Sequence, residues 1–329
     1  MSKTIKQHFV PQFYLKNWAT NNVLWTYDKR STKSQNKRTD KIMYRKFFYD
    51  YPKISEENKK AFLDSIESED ERKFAESLVN EQFFEKYFGE VENLTAKRFK
   101  KLERSIHSEY VRILQKHNPF QLCNSEFIDQ KMKYDISNFL SLQYIRTEYM
   151  RNTFASMMTK IYQKTTDMYV ANSNDETLKA LKPKVELKDE AIKVQHLSSM
   201  LKMFGEFEKY FFNYHWGVFI NTTNINFLTS DVPLSMTAPK ESIHPFGGVG
   251  FATPKVEIYY PLTPKIMLFF LEPFSMSKEN SIELDIVQNK TTIFFMTEEY
   301  VKRMNDMIYD YANQYVVSTV NNFDEYENK

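Results

Sequence analysis

EAIKVQHLSSMLKMFGEFEKYFFNYHWGVFINTTNINFLTSDVP, residues 190–233, changes its period part-way along. Leu197, Met200, Leu201 and Phe204 recur three and four apart, which predicts a helix from about Glu190 to Tyr214 with that stripe inward. From Trp216 the pattern shortens to two. Trp216–Ile220 and Ile225–Thr229 alternate apolar and polar residues about a polar NTTN, the pattern of a β-hairpin. A helical period handing over to a strand period within one stretch argues for segregated helices and strands, an α+β fold.

The prolines extend this division. Seven of the eleven lie between Pro233 and Pro273, whereas only Pro119 and Pro183 interrupt residues 53–232. Proline breaks helix interiors, so the middle can be helical and the last third cannot be continuously so. Three zones follow: 1–50, 51–214 and 215–329, the first expected to dock onto the last as one intimate unit. Zone one carries β-like runs at Val23–Tyr27 and Ile42–Tyr49. Between Lys29 and Lys46 stand eight Lys or Arg against one Asp. This reads either as a solvated hairpin tip or as a patch for a nucleotide or nucleic acid. In the middle, Phe84, Tyr87, Val91, Leu94, Leu102 and Ile106 mark one helix, with Arg98 and Arg104 on a face read as solvated. A second runs from about Glu126 beyond Met158. Its stripe passes from Met132, Ile136, Phe139 and Leu140 into Gln143, Arg146 and Thr147, polar side chains where the period requires apolar ones. Ala171–Lys188 is polar and reads as a loop. The last zone reads as an antiparallel sheet. Its further strands are Val256–Tyr260, Lys265–Leu271, Ser281–Val287, Thr291–Met296 and Tyr315–Val320, with a late helix from Glu298 to Ala312. The connection Thr237–Lys255 holds three of the six glycines and reads as a flexible lid or a disordered insertion.

Composition excludes several classes. Usage of about 7 % would give roughly 23 glycines in such a chain, but there are six, none spaced as GxGxxG or GxxxxGK[ST], so Walker and dinucleotide loops are ruled out. One cysteine, Cys123, permits neither a disulfide framework nor a cysteine-rich zinc site. Net charge is +2 over 329 residues, no general polyanion binder. The amino terminus lacks a signal-like apolar core, and the most apolar run, Ile266–Leu271, is too short to span a bilayer. A cytoplasmic protein with no membrane partner is expected.

Chemistry-bearing residues are sparse. His8 and Pro11 have the H-x-x-P spacing of the first half of an HNH nuclease, but the next histidine is His107, so no local metal site can be completed. His107, His117, His196, His215 and His244 show no metal-ligand spacing, so a divalent cofactor has no motif to hold it. Phe227–Pro233 ends a strand in Thr-Ser-Asp before proline, which reads as a turn or as a carboxylate at a sheet edge.

Together, HFVPQFYLKNW from His8, Gln143–Thr147 (QxxRT), Trp216 followed by FLTSDVPL, Tyr260–Lys265 (YPLTPK) and Met304-Asn305 resemble a bacterial family called domain of unknown function 4238. The resemblance covers nearly the whole chain and implies a bacterial cytoplasmic protein without an established activity. Glu148 stands where the family pattern has proline, and Val232 where it has asparagine. The matching polar residues are His8, Gln12, Gln143, Arg146, Ser230, Asp231 and Asn305. If they converge, Arg146 would clamp an anion, His8 act as base or acid, and Asp231 orient it or hold a metal-bound water. Gln12, Gln143, Ser230 and Asn305 would then bind substrate. That arrangement points to a hydrolase of phosphodiesters or nucleotides, a nuclease-like effector for which the bacterial setting suggests defence against phage. Two alternatives stay open: a non-catalytic sensor of an anionic ligand, or a structural protein whose polar motif residues knit the core.

Overall fold

In chain order the computed structural model has β1 (Lys6–His8), α1 (Gln12–Leu15), β2 (Val23–Asp28), β3 (Lys33–Arg38), β4 (Tyr44–Lys46), α2 (Glu56–Asp64) and α3 (Phe83–Lys116). These are followed by β5 (Leu122–Cys123), α4 (Gln130–Ile145), α5 (Glu148–Asn172), α6 (Glu176–Leu181) and α7 (Asp189–Asn213). The last third holds β6 (His215–Asn221), β7 (Thr229–Ser230), β8 (Ser235–Thr237), β9 (Glu257–Thr263), β10 (Ile266–Leu271), β11 (Thr291–Met296), α8 (Glu298–Tyr311) and β12 (Tyr315–Ser318). The residues described are 4–50, 56–64, 68–69, 72–73, 75–76, 83–116, 122–123, 128–181, 183–243, 248–272 and 291–326. The strand expected at Ser281–Val287, and His117 and His244, lie outside them. Among the described residues no helix is long and apolar enough to cross a membrane.

The fold is α+β, with a six-stranded sheet ordered β5-β11-β6-β10-β9-β8 at its centre. Alternation decides what each face meets. Trp216, Val218, Ile220, Ile258, Tyr260, Leu268 and Phe270 face the helices and the amino-terminal segment, sharing one core with Phe9, Tyr14, Trp18, Phe99, Phe139 and Leu197. The intervening Tyr259, Met267 and Phe269 face the other way. They pack on Val301, Met304 and Ile308 of α8 and on Tyr27 and Val316 of a second sheet, ordered β3-β2-β12-β7. A two-stranded ladder, β1-β4, sets His8 opposite Tyr44.

The structure departs from the sequence reading at several points, each with a physical cause. The expected hairpin at NTTN does not form: β6 pairs antiparallel with β10 and parallel with β11, so the large sheet is mixed. Thr229 instead joins β12 in the smaller sheet. Asn221 drives this separation by donating Nδ2 to the Ile225 carbonyl (2.6 Å) while its Oδ1 takes the Thr223 amide (3.0 Å), which turns the chain out of the sheet. The long helix through Arg146 is two helices. Arg146 ends α4 at φ −83°, Thr147 is extended at ψ 155°, and the Thr147 hydroxyl accepts from the Met150 amide as N-cap. Glu148 is therefore the first residue of α5, where proline is well tolerated and an acid suits the helix dipole. The basic segment is more than a hairpin tip: residues 29–32 turn between β2 and β3, Lys33–Arg38 is the second strand of that hairpin, and the next run pairs with β1. Ala171–Lys188 contains α6 rather than only loop. On α3, Leu94 is exposed and Thr95 buried, so the inward stripe runs through Phe88, Thr95, Phe99, Leu102 and Ile106. Pro261 does not end β9, because a register shift near Ile266 absorbs a residue without its own N–H. Within the glycine-bearing connection, Phe251 is buried among Tyr144, Phe207, Tyr210 and Phe211, and its carbonyl accepts from Tyr214. The connection is anchored there.

Gly217 shows how tightly the rear face is filled. A Cβ on it would fall 1.9 Å from the Phe269 ring, which stacks on Phe219 at 4.3 Å between centroids and is itself buried. Gly217→Ala is therefore expected to destabilise the protein by about 1–3 kcal/mol, the usual range for overpacking, read as a lower urea midpoint. An unchanged midpoint would mean that Phe269 has room to move.

Candidate functional site

The family motifs meet, but mostly to bind one another. The amino-terminal motif lies against the two carboxy-terminal ones: the Tyr14 hydroxyl donates to the Pro261 carbonyl (2.8 Å) and accepts from Thr229 Oγ1 (2.6 Å). Asn17 Nδ2 donates to the Leu262 carbonyl (2.8 Å), and Trp18 Nε1 to that of Phe227 (2.9 Å). Asn305 holds the same strand from behind, accepting from the Leu228 amide and donating to the Asn226 carbonyl, both at 2.9 Å. Tyr14, Trp18 and Asn305 are buried side chains satisfying backbone groups that would otherwise be stranded, and the exposed Asn17 adds its bond at the edge.

Arg146 is 1 % exposed and fully engaged on its two terminal nitrogens. Nη1 pairs with Glu92 (2.6 Å), and Nη2 donates to Gln143 Oε1 (3.0 Å), while Gln143 Nε2 donates to the Phe9 carbonyl (3.1 Å). The guanidinium lies over the rings of Phe88 and Phe139. Tyr49 bridges the backbone, donating to the carbonyls of Arg146 (3.1 Å) and His8 (3.4 Å). Gln7, unnoticed in the sequence, is wholly buried, donating to Asp50 and accepting from the Tyr49 amide. Burial and the nearby Glu92 charge raise the Glu85 carboxyl in this cluster to about 7.

His8 stands at the edge of this knot. Its ring donates to the Thr39 backbone carbonyl, and the buried Nε2 has no hydrogen-bond partner, so Nδ1 carries the proton and Nε2 the lone pair. Burial first, and then the Arg146 cation, lower its pKa to about 4, leaving the ring neutral at physiological pH. Gln12, half-buried at the start of α1, makes no side-chain hydrogen bond among the described residues.

Asp231 lies apart from His8, and no hydrogen bond or ion pair joins the two. Its two oxygens accept from the backbone amides of Asn313 (3.0 Å) and Gln314 (2.8 Å), fastening the FLTSDVPL turn to the link between α8 and β12. Ser230 Oγ closes the turn locally, accepting from the Val232 amide. Thus Gln143, Arg146 and His8 gather at the α4–α5 junction, whereas Asp231, Ser230 and Asn305 serve the β7 strand and its neighbours. The basic segment is partly consumed as well. Lys29 donates to the Tyr309 and Ala312 carbonyls at the end of α8, and Arg45 makes a bidentate pair with Glu148. Among the described residues no three His, Cys, Asp or Glu side chains gather to hold a metal ion.

Open space lies elsewhere, just outside the clasp. A cleft of about 1030 Å³ separates one face of α3, bearing Glu103, Arg104, His107 and Tyr110, from a wall of connections. Asn17 contributes to that wall, with Asn221, Thr222, Thr223 and Asn226 from the end of β6 onward, Thr263–Lys265 at the β9–β10 turn, and Thr319 after β12. Sequence reading passed over Arg104 as part of a solvated helix face and His107 as a histidine without metal-ligand spacing. The available signals were their spacing of three on α3 and the presence of Asn17 and Lys265 inside family motifs. The Arg104 guanidinium makes no ion pair or hydrogen bond among the described residues. Across the gap, Lys265 Nζ donates to the Thr223 carbonyl (2.6 Å) and Asn226 Nδ2 to Thr319 Oγ1 (2.8 Å).

The arrangement is that of an α+β protein with a motif-built interior clasp and a polar cleft beside it. By sequence the chain belongs to the family described as protein of unknown function DUF4238, matched over residues 6–321. No curated protein and no solved structure matches it.

The buried Asp231 carboxyl gives a pH signature. Burial raises it to about 6, against the pull of its three backbone hydrogen bonds. A carboxyl raised on folding favours the folded state most where it is protonated. That stability is complete below pH 4 and is lost as pH rises through about 6. Relative to Asp231→Asn, the wild type should thus lose up to roughly 3 kcal/mol between pH 4 and 7, measured by urea unfolding at both pH values. A pH-independent difference would place the carboxyl in its ordinary range.

Proposed function

We propose that the protein is a binding module for an anionic small molecule, with the α3 cleft as its site. The observation that carries this reading is an unengaged guanidinium, Arg104, beside His107 on one face of α3 and opposite Lys265 across an open cleft that holds one acid, Glu103. Clustered positive groups in a concave, partly apolar site are what an anion selects, and a cleft of this size suits a small molecule. The motif clasp supplies a rigid back wall. Inorganic pyrophosphate should raise the melting temperature of the wild type at low salt, as mass action requires of any ligand that binds only the folded state. An Arg104→Ala, Lys265→Met double variant should melt normally and lose that rise. Equal responses, or none from the wild type, would overturn the reading.

One observation favours a second reading, a hydrolase of phosphodiesters or nucleotides with His8 as base. The imidazole is held by one nitrogen with the other lone pair bare, the arrangement of an oriented general base. Under this reading Arg146 and Asp231 position the surrounding backbone rather than touch substrate. Expression of the wild type and His8→Asn in a bacterial host, with and without phage, tests it through growth, total RNA and DNA, and nucleotide pools. Toxicity or protection with degraded nucleic acid or depleted nucleotides, lost in a folded His8→Asn protein, is the expected result. Indistinguishable cultures carrying equally folded proteins would rule it out.

A further inference from the structure

Resting on the reading of the cleft as an anion site, we infer that its ligand is a nucleotide, whose phosphate meets Arg104, His107 and Lys265 and whose base lies against Tyr110. Three features beyond positive charge carry this. The first is size. An inorganic anion would leave most of about 1030 Å³ to water, whereas a nucleotide fills the span between helix and wall.

The second is the supply of bare acceptors. Asn17 spends its Nδ2 on the Leu262 carbonyl, which fixes the amide and leaves Oδ1 without a donor among the described residues. Asn226 spends its Nδ2 on Thr319 in the same way. Carboxamide oxygens repel phosphate oxygens and call for N–H or O–H groups, which sugar hydroxyls and base amino groups supply.

The third is a flat apolar surface. Glu103, Ile106, His107 and Tyr110 lie three and four apart on α3, so the basic and aromatic groups share one helix face. The half-buried Tyr110 ring rests on Phe295, 5.7 Å between centroids, and its hydroxyl has no partner among the described residues. Ile106, Ile220 and Ile266 line the cleft nearby, each no more than 9 % exposed. Aromatic rings beside cationic groups are the usual means of holding a base and its phosphate together.

Titration calorimetry with adenosine triphosphate, guanosine triphosphate, adenosine, ribose phosphate and inorganic pyrophosphate tests the inference. At least one nucleotide should bind ten times or more tighter than pyrophosphate, adenosine or ribose phosphate. Tyr110→Leu should weaken that nucleotide about tenfold and leave pyrophosphate unchanged, the scale expected for a lost base–aromatic stack. Tyr110→Phe, which keeps the ring, should retain nucleotide binding and guards against a folding defect. Pyrophosphate or ribose phosphate binding as tightly as every nucleotide, with no effect of Tyr110→Leu, would overturn the nucleotide assignment and leave the anion site standing. Failure of every phosphate-bearing compound to bind would remove both.

Discussion

A single buried hydroxyl, that of Tyr14, ties the ends of the chain together. It bonds at once to Thr229 and to the Pro261 carbonyl, partners 215 and 247 residues away. A buried hydroxyl left unpaired costs on the order of 1–3 kcal/mol, so the amino-terminal segment can dock only where both partners are already in place. Burial also drives the phenol's pKa far upward, keeping it a neutral donor. Asn17 and Trp18 add two further bonds to neighbouring carbonyls, and Pro261 has no N–H of its own to satisfy. The β7 strand, the β9 bulge and the first helix are consequently one mechanical unit, although the sequence separates them widely.

The same logic governs the charged interior. Arg146 sits where the helical period calls for an apolar residue, and its burial is tolerable because Glu92, Gln143 and two aromatic rings surround it. Removing one partner of such a pair leaves an uncompensated buried charge, a loss of about 3–5 kcal/mol. Lysine would not replace it, having no planar fork to reach carboxylate and amide together. Gln143 then passes the constraint to the Phe9 carbonyl, fixing the strand that carries His8. Side chains with the chemistry of catalysis are here largely spent on architecture, while His8 Nε2 and Arg146 Nε have no hydrogen-bond partner among the described residues.

Much of the fold was legible because periodicity reports burial. Helical spacing announced α7 and α8, short apolar runs about Pro261 and Pro264 announced the β9–β10 hairpin, and each formed as read. The misreadings arose where one side chain overrides the pattern. Asn221 turns the NTTN segment away from its apparent partner, and the Thr147 cap breaks a helix whose apolar stripe continues past it. Strand β3 carries polar residues on both faces, so no alternation announced it, and its pairing with β2 alone marks it as an edge. The site was less legible than the fold. Motif membership picked out Asn17 and Lys265 only as parts of longer strings. Nothing local distinguished Arg104 and His107 from the solvated lysines on the same helix, because a cleft is created by what stands opposite.

What stands opposite is unusually fixed. Asn17, Asn221, Thr223, Asn226 and Lys265 are already bonded to one another's loops or to adjacent backbone, so that wall loses little freedom when a ligand arrives. Ordering a long side chain on binding costs about 0.5–1.5 kcal/mol, and here the charge falls mainly on Arg104 across the gap. A rigid polar wall facing a helix with an unengaged cation is an asymmetric arrangement. On the proposed reading the wall would select by shape and acceptor position, while the helix would supply attraction that salt can screen. The clasp at Tyr14 stands directly behind that wall, joined to it through Asn17. Family motifs that never touch a ligand can therefore still determine whether the cleft has the right form to hold one.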